Sequence, residues 1–176
     1  MHILRFSLLF FAAAFLAPLA AHAAWWMSHD DAVAWHRADW SSAGILPAAR
    51  AKQEATVYVL AARTGRWKGI FAHHSWIVIK ERGATTYTRF DKVAWGRPVK
   101  INNWAPDARW YGHAPMLVAA FEGPQAEQLI PKIKAAVLRY PLSQPGDYFV
   151  WPGPNSNSFI AYVLAAIPEA GRSRPA

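Results

Sequence analysis

The chain has 176 residues, of which 53% are hydrophobic and 17% are charged, and it contains no cysteine. A chain of this length supports one domain of roughly 100–200 residues, and its apolar fraction excludes a disordered protein. The lack of cysteine excludes disulfides, thiolate metal sites and a cysteine nucleophile. Its 19 Lys and Arg exceed its 11 Asp and Glu, but no five basic residues stand in a row. We therefore interpret the charge as a solvated basic surface and expect no nucleic-acid partner.

Residues 1–23 have the pattern of a secretory signal peptide. Arg5 supplies the positive start, residues 6–17 are apolar at all but one position, and Ala21-His22-Ala23 is a small-x-small cleavage site. Pro18 is expected to break the helix. The apolar run is shorter than the roughly 20 residues of a spanning helix, which favours cleavage over an uncleaved membrane anchor. We therefore predict a single globular domain over residues 24–176, exported to the periplasm or cell envelope.

The exported part is predicted to alternate helices with several strands. Asp30 or Asp31 can cap a first helix that runs to about Asp39. A tight turn at residues 81–83 is expected to join two neighbouring strands as a hairpin, and Pro98 marks an edge or an end of the sheet. The predicted strands cover residues 55–62, 73–80, 84–90, 92–101, 116–121 and 148–151.

Two further helices are predicted in the C-terminal half. Gly123-Pro124 opens the first, and Pro131 predicts either a kink or two short helices. The second covers residues 155–167, ends at Pro168, and is apolar nearly all round, which is typical of a buried helix. The order of elements predicts an α+β fold, with a mainly antiparallel sheet packed on a buried C-terminal helix.

The start of that last helix is the first candidate site. Asn155, Ser156, Asn157 and Ser158 follow each other directly after a stiff Pro-Gly-Pro turn. A helix cap needs only one such residue, so the group predicts a helix terminus suited to an anion or a developing oxyanion. The alternative interpretation is an N-cap and a turn without chemistry.

The second candidate site is the start of the strand at residues 73–80. Strand alternation directs His73 and His74 to opposite faces. A three-residue turn would place His73 opposite Asp91, whereas a two-residue turn would place His74 there. In either register a carboxylate orients an imidazole, as a general base requires. Alternatively, the two histidines fill space beside Trp76.

The sequence also contains candidate residues for a metal site and for a ligand site. His73, His74, His113 and Asp91 carry metal-binding atoms, but neighbouring strand histidines face apart, so we expect neither a metal site nor a cofactor. A ligand site is expected instead from basic and aromatic residues in loops, although a solvated loop tip is the alternative. Its candidate residues are Arg63, Trp67, Lys68, Trp104, Trp110, Tyr111 and Trp151.

Six segments have a distinctive composition, namely residues 38–44, 62–64, 67–69, 74–77, 109–112 and 151–159. Through these segments the sequence resembles an uncharacterised bacterial family classed as a domain of unknown function. It is more distantly similar to circularly permuted papain-like enzymes, including relatives of NlpC cell-wall peptidases and of lecithin retinol acyltransferase. That resemblance implies Ser156 at the position of the usual cysteine, His74 as base and Asp91 as orienting group.

Three classes of function follow from these features. In the first, an exported hydrolase or acyltransferase uses Ser156 to attack an amide or ester. In the second, a non-catalytic envelope protein binds a glycan, a peptide or an anionic lipid, with association at a membrane surface. In the third, the protein is a structural partner in an envelope assembly.

Overall fold

The structure, a computed structural model, describes residues 2–29 and 34–168. It contains a five-stranded antiparallel sheet with three helices, so the predicted α+β class is confirmed. The helices are α1 (His2–His29), α2 (Gly123–Leu138) and α3 (Ser156–Ala165). The strands are β1 (Thr56–Arg63), β2 (His73–Lys80), β3 (Thr88–Lys92), β4 (Val99–Ile101) and β5 (Met116–Glu122). Their order across the sheet is β4-β3-β2-β1-β5.

The sheet is covered on both faces, which explains why its central strands are apolar almost throughout. Alternate residues of β1 and β2, such as Val57 and Ile77, pack against α2 and α3. The residues between them, such as Leu60 and Trp76, pack under loops that carry Trp110 and other aromatics. A strand that is buried on both faces reads as a continuous apolar run, as both central strands do.

The hairpin register differs from both predicted alternatives. Asp91 pairs with Trp76, and Ile79 pairs with Thr88, because the connection between β2 and β3 is longer than a tight turn. This pairing is two residues away from the register that places His74 opposite Asp91. A slip of two residues keeps every side chain on its face, so His74 still shares a face with Asp91.

The prediction of two short helices at Pro131 was wrong, since α2 is one continuous helix with this proline inside it. Pro131 lies on the exposed side, where water can solvate the carbonyl that the missing N–H would have bonded.

The predicted burial of the last helix was also wrong in part. Phe159 and Val163 are buried on one face of α3, whereas Ala161 and Ala165 are exposed. An exposed alanine side chain costs little free energy, and only one face of α3 packs against the sheet.

Two other predicted elements differ from the structure. Residues 148–151 form no strand; the Phe149 N–H instead donates to the Pro154 carbonyl in a local turn that contains two cis X-Pro peptide bonds. The helix start at Asp30 or Asp31 lies outside the described residues. The later part of that predicted helix contains only the 3-10 turn Trp35–Arg37.

Pro18 does not break the N-terminal helix, contrary to the prediction. The helix widens into a π-helical segment, Ala12–Leu16, in which the Ala17 N–H donates to the Ala12 carbonyl. Pro18 then falls in the first turn of the following α-helical segment, where a missing N–H is tolerated. The resulting 28-residue helix is long and apolar enough to cross a membrane, a property that signal sequences share.

The last turns of α1 pack on the 3-10 turn Arg66–Ile70, which follows β1. Trp26 is 6% exposed there, and its Nε1 donates to the Arg66 carbonyl at 2.9 Å. The Arg63 guanidinium lies over the same indole, 4.9 Å from the ring centroid. Gly69 makes this packing close, because a Cβ at that position would overlap the Trp26 ring. The helix is therefore joined to the domain at one end of the sheet.

Candidate functional site

A cavity of about 330 Å3 opens at the end of the sheet where β1 terminates and β2 begins. We call this end of the sheet the cavity end. The walls of the cavity come from the 3-10 turn after β1, the start of β2, the loop after β3 and the start of α3. They include most of the candidate residues, namely His74, Asn155, Ser156, Asn157, Trp67, Lys68 and Trp110, together with Trp95, Tyr111 and Tyr148.

His74 is held by a buried ion pair behind it. Its Nε2 lies 2.9 Å from Asp91 Oδ1. The same carboxylate accepts from Arg89 Nε at 2.7 Å and from Arg89 Nη2 at 2.8 Å. All three side chains are at most 3% exposed. Because Nε2 is engaged by Asp91, Nδ1 is the ring nitrogen left for a reacting group.

Aromatic rings fix the plane of the imidazole. The His74 ring stacks on the Trp110 indole with centroids 3.6 Å apart and 7° between the planes. On β2, Trp76 lies 5.8 Å from the same imidazole. The Arg89 guanidinium in turn sits 4.0 Å from the Trp76 centroid. The imidazole is therefore restrained both by its hydrogen bond and by packing.

Burial sets the charge state of this group of side chains. It lowers the pKa of His74 below the ordinary value, and the nearby Arg89 charge adds to this shift while Asp91 opposes it. Burial alone would raise the pKa of Asp91, but the hydrogen bond from His74 and the Arg89 charge outweigh it, so that pKa is lowered. At neutral pH the site therefore holds a neutral imidazole beside a carboxylate whose charge Arg89 balances. A neutral imidazole is the form that accepts a proton.

Ser156 is the first residue of α3 and lines the cavity while remaining 3% exposed. The cap that precedes it is formed by Asn155, whose side chain accepts from the Ser158 N–H at 3.1 Å. The Ser158 hydroxyl completes a capping box by accepting from the Asn155 N–H at 2.7 Å. The N–H groups of Ser156 and Asn157 also belong to the first turn of α3, where backbone N–H groups have no acceptor within the helix.

Tyr148 was missed by the sequence analysis, which assigned it to a strand. Burial raises the pKa of its phenol, and the hydroxyl and backbone N–H of Ser156 oppose the rise. The phenol therefore shares the surroundings of the candidate nucleophile. Its only sequence signal was its place shortly before the Pro-Gly-Pro turn, which does not distinguish a site residue.

Asn157 connects α3 to β2. Its Oδ1 accepts from the Ser75 hydroxyl at 2.7 Å, and its Nδ2 donates to the His73 carbonyl at 3.2 Å. These bonds fix the helix start against the two residues that flank His74 on the strand. The side chain of Asn157 therefore sets the relative position of Ser156 and His74.

Four of the predicted residues, Asp91, Arg63, Trp104 and Trp151, do not line the cavity. Trp104 packs against Trp110, with ring centroids 5.2 Å apart. Asp91 lies behind His74, and Arg63 donates to the Gly69 carbonyl and stacks on Trp26. Trp151 is 86% exposed and stands outside the cavity wall. Arg89 was missed; it lies two residues before Asp91 on β3, a spacing that puts both side chains on one face.

No group of three His, Asp or Glu residues within residues 2–29 and 34–168 is arranged to hold a metal ion. His73 and His74 both border the cavity. His113 instead packs near Trp26, with ring centroids 5.1 Å apart.

The fold and cavity define an α+β protein whose site combines a buried His–Asp pair with a serine at a helix start. The sequence profile of one family, described as a protein of unknown function (DUF3750), matches residues 54–176. This match covers more than two thirds of the chain, so the protein belongs to that family. Neither the curated proteins nor the solved structures gave a match.

Proposed function

We propose that this protein is an exported serine-dependent hydrolase or acyltransferase acting on an amide or ester. The observation that carries the proposal is that Ser156 and His74 line one cavity, with His74 bound to Asp91 from behind. A nucleophile, a base and a group that orients the base are the three parts that covalent acyl transfer requires.

In the proposed reaction, Ser156 Oγ attacks the carbonyl carbon of the substrate while its proton passes to His74 Nδ1. The carbonyl oxygen becomes an oxyanion that accepts from N–H groups at the start of α3, including that of Asn157. His74 then gives its proton to the departing amine or alcohol, which leaves an acyl ester on Ser156. Water or a second alcohol attacks this ester, and the serine hydroxyl is restored.

The resemblance to permuted papain-like enzymes supports the same assignment. In that arrangement an early strand carries the base and a late helix begins with the nucleophile, as β2 and α3 do for His74 and Ser156. Serine is a weaker nucleophile than a thiolate and needs a base that is neutral and well oriented. The buried hydrogen bond to Asp91 and the lowered pKa of His74 supply both conditions.

The proposal is tested by labelling the purified protein with a fluorophosphonate probe. We expect the wild type to be labelled, and we expect Ser156→Ala and His74→Ala to lose the label because they remove nucleophile and base. Ser158→Ala is the matched control, since Ser158 is an exposed serine on the same helix turn and does not line the cavity. That variant should retain the label.

Two results would contradict the catalytic proposal. One is a folded wild type, verified by thermal unfolding, that takes up no label. The other is a Ser156→Ala variant that labels as well as the wild type, which would assign the reactive hydroxyl to another residue.

A second candidate function, non-catalytic binding of an anionic ligand, is favoured by the charge of the cavity wall. Lys68 and Arg66 line it, aromatic rings such as Trp67 and Trp95 lie beside them, and no Asp or Glu belongs to the described wall. Calorimetric titration with dihexanoyl phosphatidylglycerol separates the two functions. Binding that survives Ser156→Ala and is lost in Lys68→Glu, together with no probe labelling, would favour the binding protein.

A further inference from the structure

We propose that α1 is a retained membrane anchor and that the cavity end of the domain rests on the bilayer surface, with the Arg66–Phe71 segment in the headgroup region. This inference does not depend on the serine chemistry. It concerns where the domain sits and from which side a molecule reaches the cavity.

The first observation is the length of α1 between its flanking residues. Arg5 and Trp26 are separated by 21 residues, or about 31 Å of helix. The hydrocarbon core of a bilayer is roughly 30 Å thick. Arginine on the inner side and tryptophan at the outer interface are the usual flanks of a spanning helix.

The second observation is that the outer end of α1 is joined to the wall of the cavity. Trp26 donates to the Arg66 carbonyl, and His22 Nε2 lies 2.9 Å from the Ile70 carbonyl. The 3-10 turn that receives these contacts carries Trp67 and Lys68, which line the cavity. If the helix spans the membrane, this turn has to lie at the membrane surface.

The third observation is the character of the side chains around that turn. Trp67 is 57% exposed and Phe71 is 67% exposed, and Met116, at the same end of the sheet, is 53% exposed. Aromatic residues with a neighbouring lysine are typical of a membrane interface, where basic side chains are attracted to an anionic surface.

The fourth observation is the position of the glutamates. Every glutamate among the described residues lies at the opposite end of the sheet. Glu54 precedes the start of β1, and Glu81 follows the end of β2. Glu122 pairs with Thr56, the first residue of β1. Glu127 bonds Arg82, next to Glu81. The glutamate carboxylates therefore lie at the end of the sheet opposite the surface that would face anionic lipid.

Single cysteines test this arrangement, because the natural chain has none. The full chain is reconstituted in vesicles of phosphatidylcholine and phosphatidylglycerol, with a fluorescent label at Phe71→Cys or at Met116→Cys. Thr85→Cys, in the exposed connection at the far end, is the matched control. We expect doxyl lipids to quench labels 71 and 116 and aqueous iodide to quench only label 85. In a separate measurement, the protein is isolated from the membrane fraction of the cells that express it. N-terminal sequencing of that protein should find residues 1–23 still attached.

Several outcomes would overturn the proposal. Iodide quenching of labels 71 and 116 as strong as that of label 85 would place the cavity end in water. Protection of label 71 from both iodide and doxyl lipids would assign the surface to a second copy of this chain. A membrane fraction whose chains all begin at Ala24 would mean that α1 is a cleaved signal. None of these results would alter labelling of Ser156, so the two proposals fail separately.

Discussion

The imidazole of His74 lies parallel to the indole of Trp110, with 3.6 Å between the ring centroids. The two residues come from β2 and from the loop before β5, so their contact closes the face of the sheet that the helices do not cover. The stack also holds the edge of the imidazole towards Asp91. The same contact thus contributes to the core and to the geometry of the candidate base.

Replacing Trp110 should destabilise the protein far more than replacing Trp151. Trp110→Ala removes a side chain that is 3% exposed, and loss of a buried tryptophan costs about 3–5 kcal/mol. Trp151→Ala removes one that is 86% exposed, for which we expect a change within about 0.5 kcal/mol. Urea unfolding of both variants measures the difference. Equal losses would mean that Trp151 is covered in the folded protein.

Asp91→Asn should lower the free energy of unfolding by about 3–5 kcal/mol, because it leaves the buried Arg89 guanidinium without its counter-ion. The double variant Arg89→Met with Asp91→Asn removes both charges and should recover part of that loss. Chemical unfolding of the wild type, both single variants and the double variant completes the cycle. If Asp91→Asn alone were neutral, the carboxylate would not be compensating a buried charge.

The free energy of unfolding should fall as the pH is lowered through about 6.5, the ordinary pKa of histidine. Burial lowers the pKa of His74 in the folded protein, so the unfolded chain binds the proton first. Stability is therefore fully present above that pH and decreases below it. The lowered pKa of His73 acts in the same direction.

Urea unfolding at pH 7.5 and 5.5 isolates the His74 contribution when wild type is compared with His74→Gln, which retains His73. We expect a smaller loss of stability between the two pH values in the variant. Identical losses in the two proteins would show that His74 binds protons equally well in the folded and unfolded states.

Asn155→Ala should lower the free energy of unfolding by about 1 kcal/mol, because Asn155 caps α3 through the Ser158 N–H. Asn155→Asp keeps an acceptor oxygen at the cap and should lose less. The two variants can be compared by thermal unfolding. A loss as large for Asp as for Ala would indicate that the Asn155 Nδ2 bond to the Val150 carbonyl is the important one.

Local patterns determined much of the secondary structure. The predicted strand at residues 73–80 coincides with β2, because its alternating residues face two apolar layers. The apolar face of α2, with Leu129 and Ile133, is buried as its helical spacing indicates. The sequence also singled out His74, Asp91 and Ser156 before their positions were known, although their chemical roles remain proposals.

Contacts between distant segments decided the rest. Whether α3 is buried on one face or all round depends on the elements that pack against it. The residues of α3 alone do not determine this. The bond between His74 and Asp91 joins residues 17 positions apart, and the docking of Trp26 on Arg66 joins residues 40 positions apart. The sequence by itself determined the central strands, the apolar face of α2 and the residues that were candidates for the site. Only the tertiary structure decided which of those residues meet, because register, loop length and packing are settled by the whole chain at once.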